Sequence, residues 1–162
     1  VTLLETARSL PHIEFTVITR IAAPKDLPPN VKWRRGDWHE QAVSDHELHE
    51  LYQGAACVVV PLKESPQPSG QSVAMQAMMC GAPVVHTKTS GGWGGDTIRA
   101  GQEVLLVPPA DAPALAAAAV SAVRRGSSGK SRDALVLAGW TAKGFADRVG
   151  DLVEAVVRNP KS

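Results

Sequence analysis

The chain has 162 residues, 44% of them hydrophobic and 20% charged, with a formal net charge of +1. This composition predicts a single globular domain with a sizeable core. It carries no cluster of Lys and Arg interleaved with aromatics, and no run approaches the roughly 18 apolar residues of a spanning helix, so neither nucleic acid nor an integral membrane segment is expected.

In chain order, Val1 to Leu10 is helical in pattern and Ile13 to Thr19 is an apolar, β-branched strand. The start carries Glu5 and Arg8 where an export signal needs an unbroken apolar core, so no export signal is expected there. A loop with Pro24, Pro28 and Pro29 leads to a short strand at Val31 to Arg34. Ser44 with Glu47 three residues on is a capping box, and Leu48, Leu51, Tyr52 and Ala55 make the apolar stripe of the helix it opens. Ala56 to Leu62 reads as a fully buried parallel strand, Ser69 to Ser72 as a turn into a helix, and Ala82 to His86 as the next strand. A Gly-rich loop (Ser90 to Gly95), a short helix near Asp96 to Ala100 and a strand at Glu103 to Val107 follow. Asp111 with Pro113 just inside it opens an Ala-rich helix to Arg125, stopped by Gly126. Ser127 to Lys130 is the loosest segment, and helices at about Arg132 to Ala138 and Thr141 to Arg158 close the chain. The apolar residues suffice for a buried core and suggest no exposed stripe. Cys57 in a strand and Cys80 at a helix end read as buried and reduced, which points to a cytoplasmic location. Strands alternating with helices predict an α/β fold, a doubly wound parallel sheet with helices on both faces.

The segment QPSGQSVAMQAMMCGAPVV, Gln67 to Val85, carries the most chemistry. A Gly turn between a buried strand and a helix directs free backbone N–H groups and the positive helix end at one point, which suits a phosphate. Gly70, Gln71 and Ser72 offer such amides beside Ser69; without a binding role they only end a strand and cap a helix. Ser72 and Gln76 are four apart, on one helix face, and Gln76 leans towards the N-terminus.

These blocks in order, LPHIEFTVIT, NVKWRRG, SDHELHELYQGAACVVVPL, SGQSVAMQAMMCGAPVV, SGGWGGDTI, EVLLVPPADAPALAAAAV and GWTAKGFADRVGDLVEAV, resemble the C-terminal half of a GT-B glycosyltransferase of the retaining type, the glycosyl transferases group 1. The resemblance covers nearly all of residues 1–162 and implies a domain that binds a nucleotide-sugar donor, its diphosphate at the Gly turn and helix start. It implies an acceptor-binding N-terminal domain as partner, in the same or another chain, and no cofactor beyond the donor substrate. It also implies donor contacts at Gly91 and Gly92, in a loop that reads as too flexible to be only a connection. A base pocket is implied at Arg35 and Trp38, with Arg34 and His39 beside them; the rival is a surface loop. Lys88 would add charge at the diphosphate, and Asp96 holds the acidic position opening the next helix, where N-capping alone would explain it.

Many members carry Glu-x7-Glu at this point, and the alignment sets Pro68 at the first Glu and Gln76 at the second. Gln76 can still hydrogen-bond a ribose, without the charge that makes an ionised acceptor roughly twice as strong. No catalytic residue is therefore assigned. Glu64 lies nearby but out of register and reads as solvated. His86 is either a donor contact or a satisfied core histidine. His46 and His49 have metal-ligand spacing on a helix, yet lie opposite its apolar stripe with no third ligand near in sequence, so no metal is expected.

The resemblance implies a strand order 3-2-1-4-5-6 whose first strand has no counterpart here. The expectation is a vacancy between Ile13–Thr19 and Val58–Pro61, and a chain that is one piece of a longer enzyme, inactive alone. Two further functions compete: a non-catalytic nucleotide-binding or scaffolding module, and a GT-B type nucleotide-sugar epimerase, which would need acidic side chains at the sugar. A dinucleotide enzyme fits less well, since no G-x-G-x-x-G follows an early strand.

Overall fold

A computed structural model describes residues 2–36, 43–92, 104–126 and 130–158. Its elements are α1 (Thr2–Ser9), β1 (Phe15–Thr19), β2 (Val31–Arg35), α2 (Asp45–Gly54), β3 (Val58–Val60), α3 (Gln71–Met79), β4 (Val84–Thr87), β5 (Val104–Val107), α4 (Ala112–Arg125), α5 (Lys130–Leu137) and α6 (Ala142–Arg158). The expected helix near Asp96 and most of the loose segment Ser127 to Lys130 lie outside the described residues; Lys130 itself opens α5.

The fold is α/β with parallel strands throughout. β1 pairs with β2, Phe15 opposite Val31, while β3, β4 and β5 form a second sheet in that order, with Val58 opposite Val84 and Val84 opposite Val104. Alternation along β4 sends successive side chains to opposite faces. Val84 joins Val60, Ala74, Ala77, Met78, Val104 and Leu135 on the side of α3 and α5. Val85 joins Val107, Leu115 and Ala122 on the side of α4. Helices thus cover both faces of this sheet, as expected.

Two corrections concern burial. β3 is three residues long, and only Val60 is buried while Val58 and Val59 are half-buried, because β3 is an edge strand with β4 as its one neighbour among the described strands. A fully buried strand needs a partner on each side. The second correction is α6, where Phe145, Val149, Leu152, Val153 and Val157 leave an apolar stripe exposed; Phe145 is 64% accessible and Val157 71%. Their 3-4 spacing makes an apolar face, and the described elements do not cover it.

The capping signals hold. Ser44 Oγ accepts from Glu47 N at 3.2 Å at the start of α2, and an Asp111 carboxylate oxygen accepts from Ala114 N at 2.8 Å at the start of α4. The two sheets are linked through α1 packing on α4, where buried Thr6 donates its hydroxyl to Ala112 O at 3.3 Å. Asn30 closes the other side of α1: its Nδ2 lies 2.9, 3.0 and 2.8 Å from the carbonyls of Ala7, Leu10 and Ile13.

Candidate anion site at the start of α3

β3 and β4 run parallel, so the loops leaving their carboxyl ends emerge together, and α3 starts between them. Gly70 is the residue that makes this turn. Its φ of +73° is left-handed, and a Cβ placed there would lie 2.5 Å from Val60 Cγ1 and 2.9 Å from His86 Nε2. Only glycine fits, on conformation and on space alike. Gly70 caps α3 with no side-chain hydrogen bond, and the helical ladder begins with Ala74 N to Gly70 O at 3.0 Å. The amides of Gln71, Ser72 and Val73 precede that bond, where a helix has no acceptor of its own to give them.

His86 follows Val84 on the α3 side of β4 and lies against the Gly turn, 2.9 Å from the Cβ position at Gly70. It is 3% exposed, and its Nδ1 lies 2.8 Å from Thr87 O, so the ring packs under the turn rather than at its surface.

The loops after β3 and β4 are joined side by side. Leu62 N donates to Thr87 Oγ1 at 3.0 Å, Ser90 N to Glu64 Oε1 at 2.8 Å, and Gly91 N to Ser65 O at 2.8 Å. A Cβ at Gly91 would lie 2.6 Å from the carbonyl carbons of Pro66 and Gln67, so this glycine permits two backbones to touch. This contact at Gly91 is one that a reading of the loop as flexible did not include. The bond to Ser90 corrects the reading of Glu64, which is exposed but not simply solvated. Its bonds to the hydroxyl and amide of Ser90 hold its carboxyl below the ordinary glutamate range.

Of the other expected residues, Ser69 and Ser72 are exposed and Gln71 is half-buried around Gly70. Gln76 is exposed, and its Oε1 lies 3.5 Å from Tyr52 Oη of α2. Lys88 is exposed one residue beyond β4, its amide bonded to Val107 O at 2.8 Å. Gly92 follows the Gly91 contact, and its own Cβ position is open to 3.9 Å. Arg35 ends β2 in the other sheet, exposed and away from this cluster in the strand order. Its neighbour Arg34 is occupied by Glu47, with 2.7 Å between Nη1 and Oε1. Trp38, His39, Trp93, Gly94, Gly95 and Asp96 lie outside the described residues.

His46 is exposed and pairs with Glu50 at 3.6 Å. Among the described residues no three His, Cys, Asp or Glu side chains gather as metal ligands, and no helix is long and apolar enough to cross a membrane. Cys57 and Cys80 are both free and half-buried, and burial pushes the Cys57 thiol up to about 12. Sequence reasoning missed the bonds that Thr87 and Ser90 make. The two pair with residues 25 and 26 positions away, and nothing local marks such a bond.

A parallel α/β sheet with a glycine turn opening a helix at its carboxyl edge is the architecture of a Rossmann-like half-domain. Residues 7–125 match the family model of the glycosyl transferases group 1, and the chain belongs to that family. No curated protein matches it. Membership supports a function in glycosyl transfer.

Proposed function

We propose that the chain is the donor-binding part of a retaining glycosyltransferase, which holds a nucleoside-diphosphate sugar for transfer to an acceptor on a separate domain. One observation carries this reading: Gly70, the one residue type its position admits, opens α3 against Val60 of β3 and His86 of β4, at the carboxyl ends of both strands. The diphosphate would lie at the amides of Gln71 and Ser72, with Ser69, Gly91, Gly92 and Lys88 around it and Gln76 reaching the ribose. His86 would support the turn from beneath. Arg35 and Trp38 would serve the base. As the sugar–phosphate bond breaks, charge grows on the leaving diphosphate, and fixed amide dipoles already pointing there lower the barrier without reorganising. No cofactor enters this scheme, and no catalytic residue is named.

Titration calorimetry with UDP, GDP and ADP tests it. One nucleotide should bind, and Gln76→Leu should weaken it roughly tenfold, the equivalent of one lost polar contact. A folded protein that binds none of the three would refute the proposal.

Pro68 and Gln76, standing where a pair of carboxylates is expected, favour a second reading as a nucleotide-binding module without turnover. Nucleotide binding with no sugar transfer in the full protein would select it.

A further inference from the structure

Among the described residues, Glu64 is the charged side chain that crosses from the loop after β3 to the loop after β4. Its partners are the amide and hydroxyl of Ser90 rather than a cation, and the bond to the amide fixes the path of the chain there and not merely the place of a side chain. On either side of it the loops meet through neutral groups, Thr87 Oγ1 with Leu62 N and Ser65 O with Gly91 N. The segment from Glu64 to Gly70 is stiff: it contains Pro66 and Pro68, which fix φ, and Ser65 Oγ accepts from Gln67 N at 3.0 Å. Gly91 lies in backbone contact with Pro66 and Gln67 in that segment. A shift of Ser90 therefore changes the spacing between Gly91 and the turn at Gly70, where a ligand at α3 would sit.

We propose that Glu64 is a positioning residue for the anion site: by holding the amide of Ser90 it sets the distance between the loop after β4 and the start of α3, and so the affinity for a nucleoside diphosphate. The inference rests on the function proposed above. A carboxylate is the stronger choice for this task, since a hydrogen bond to an ionised acceptor is shorter and firmer than one to a neutral oxygen. The chemistry asks only for an acceptor on a side chain of this length, so glutamine should serve nearly as well and alanine should not.

The test uses Glu64→Ala and Glu64→Gln in the full chain, with two readouts. Calorimetry with the tightest of UDP, GDP and ADP should show binding weakened roughly tenfold by alanine, with glutamine within about threefold of the parent. Hydrogen exchange should show the Ser90 and Gly91 amides opened by alanine and protected again by glutamine, while α3 amides keep their protection in both. Unchanged affinity in Glu64→Ala, or a glutamine variant as weak as alanine, overturns the positioning role alone. No binding by the folded parent overturns the proposed function and this inference together.

Discussion

Gly91 and Gly92 are neighbours of the same type in the same loop, and space distinguishes them. A methyl at Gly91 meets the carbonyl carbons of Pro66 and Gln67 at 2.6 Å, whereas at Gly92 nothing lies closer than 3.9 Å. Gly91→Ala should therefore cost about 1–3 kcal/mol in urea unfolding, as overpacking does, while Gly92→Ala stays within about 0.5 kcal/mol. Equal effects would mean that the loops are not in contact. Gly70 was legible in the sequence because strand, glycine and helix follow one another directly, and the turn chemistry is local. Gly91 was legible as a glycine but not as a contact, since Pro66 and Gln67 are distant in sequence. Glu64 was misread for the same reason: an acidic residue in a proline-rich loop usually faces water, and only the return of the chain after β4 brings Ser90 to it.

At the scale of the element, caps and periodicity place every described helix within two residues of its expected bounds. Those signals sit inside the element itself, as with Ser44 and Asp111. The strands were less well bounded: β3 and β4 each begin two residues after their expected start, because a strand ends where its neighbour's backbone stops pairing, and no single segment encodes that. Asn30 is the clearest case of an element closed from outside. Its amide faces the carbonyls of Ala7 and Leu10 at the end of α1 and of Ile13 just before β1. Asn30→Ala removes the side-chain donor from all three carbonyls, of which those of Ala7 and Leu10 keep a backbone amide, and should destabilise by about 1–3 kcal/mol. Asn30→Asp sets a carboxylate against three carbonyl oxygens and should cost more, most visibly at neutral pH. Thermal unfolding of the two variants decides this; an aspartate variant as stable as the parent would contradict the arrangement.

For the molecule as a whole, two parallel sheets are connected through α1 and α4, with the Arg34–Glu47 pair linking β2 to α2. Ala7 on α1 is fully buried, so its small size fits close packing. Ala7→Leu should overpack this joint by about 1–3 kcal/mol. Hydrogen exchange should then accelerate in β1 and β2 while β4 and β5 keep their protection; uniform acceleration would mean that the two sheets open as one cooperative unit. By itself the sequence determined the α/β class, the helices with their caps, the parallel pairing and the glycine at the turn, because each depends on residues close together in the chain. The meeting of His86 with Gly70, the clasp of Glu64 on Ser90, the edge position of β3 and the exposed stripe of α6 were decided by tertiary structure. Each is a relation between segments brought together only by folding, where packing and the distance between backbones, rather than local propensity, select which groups touch.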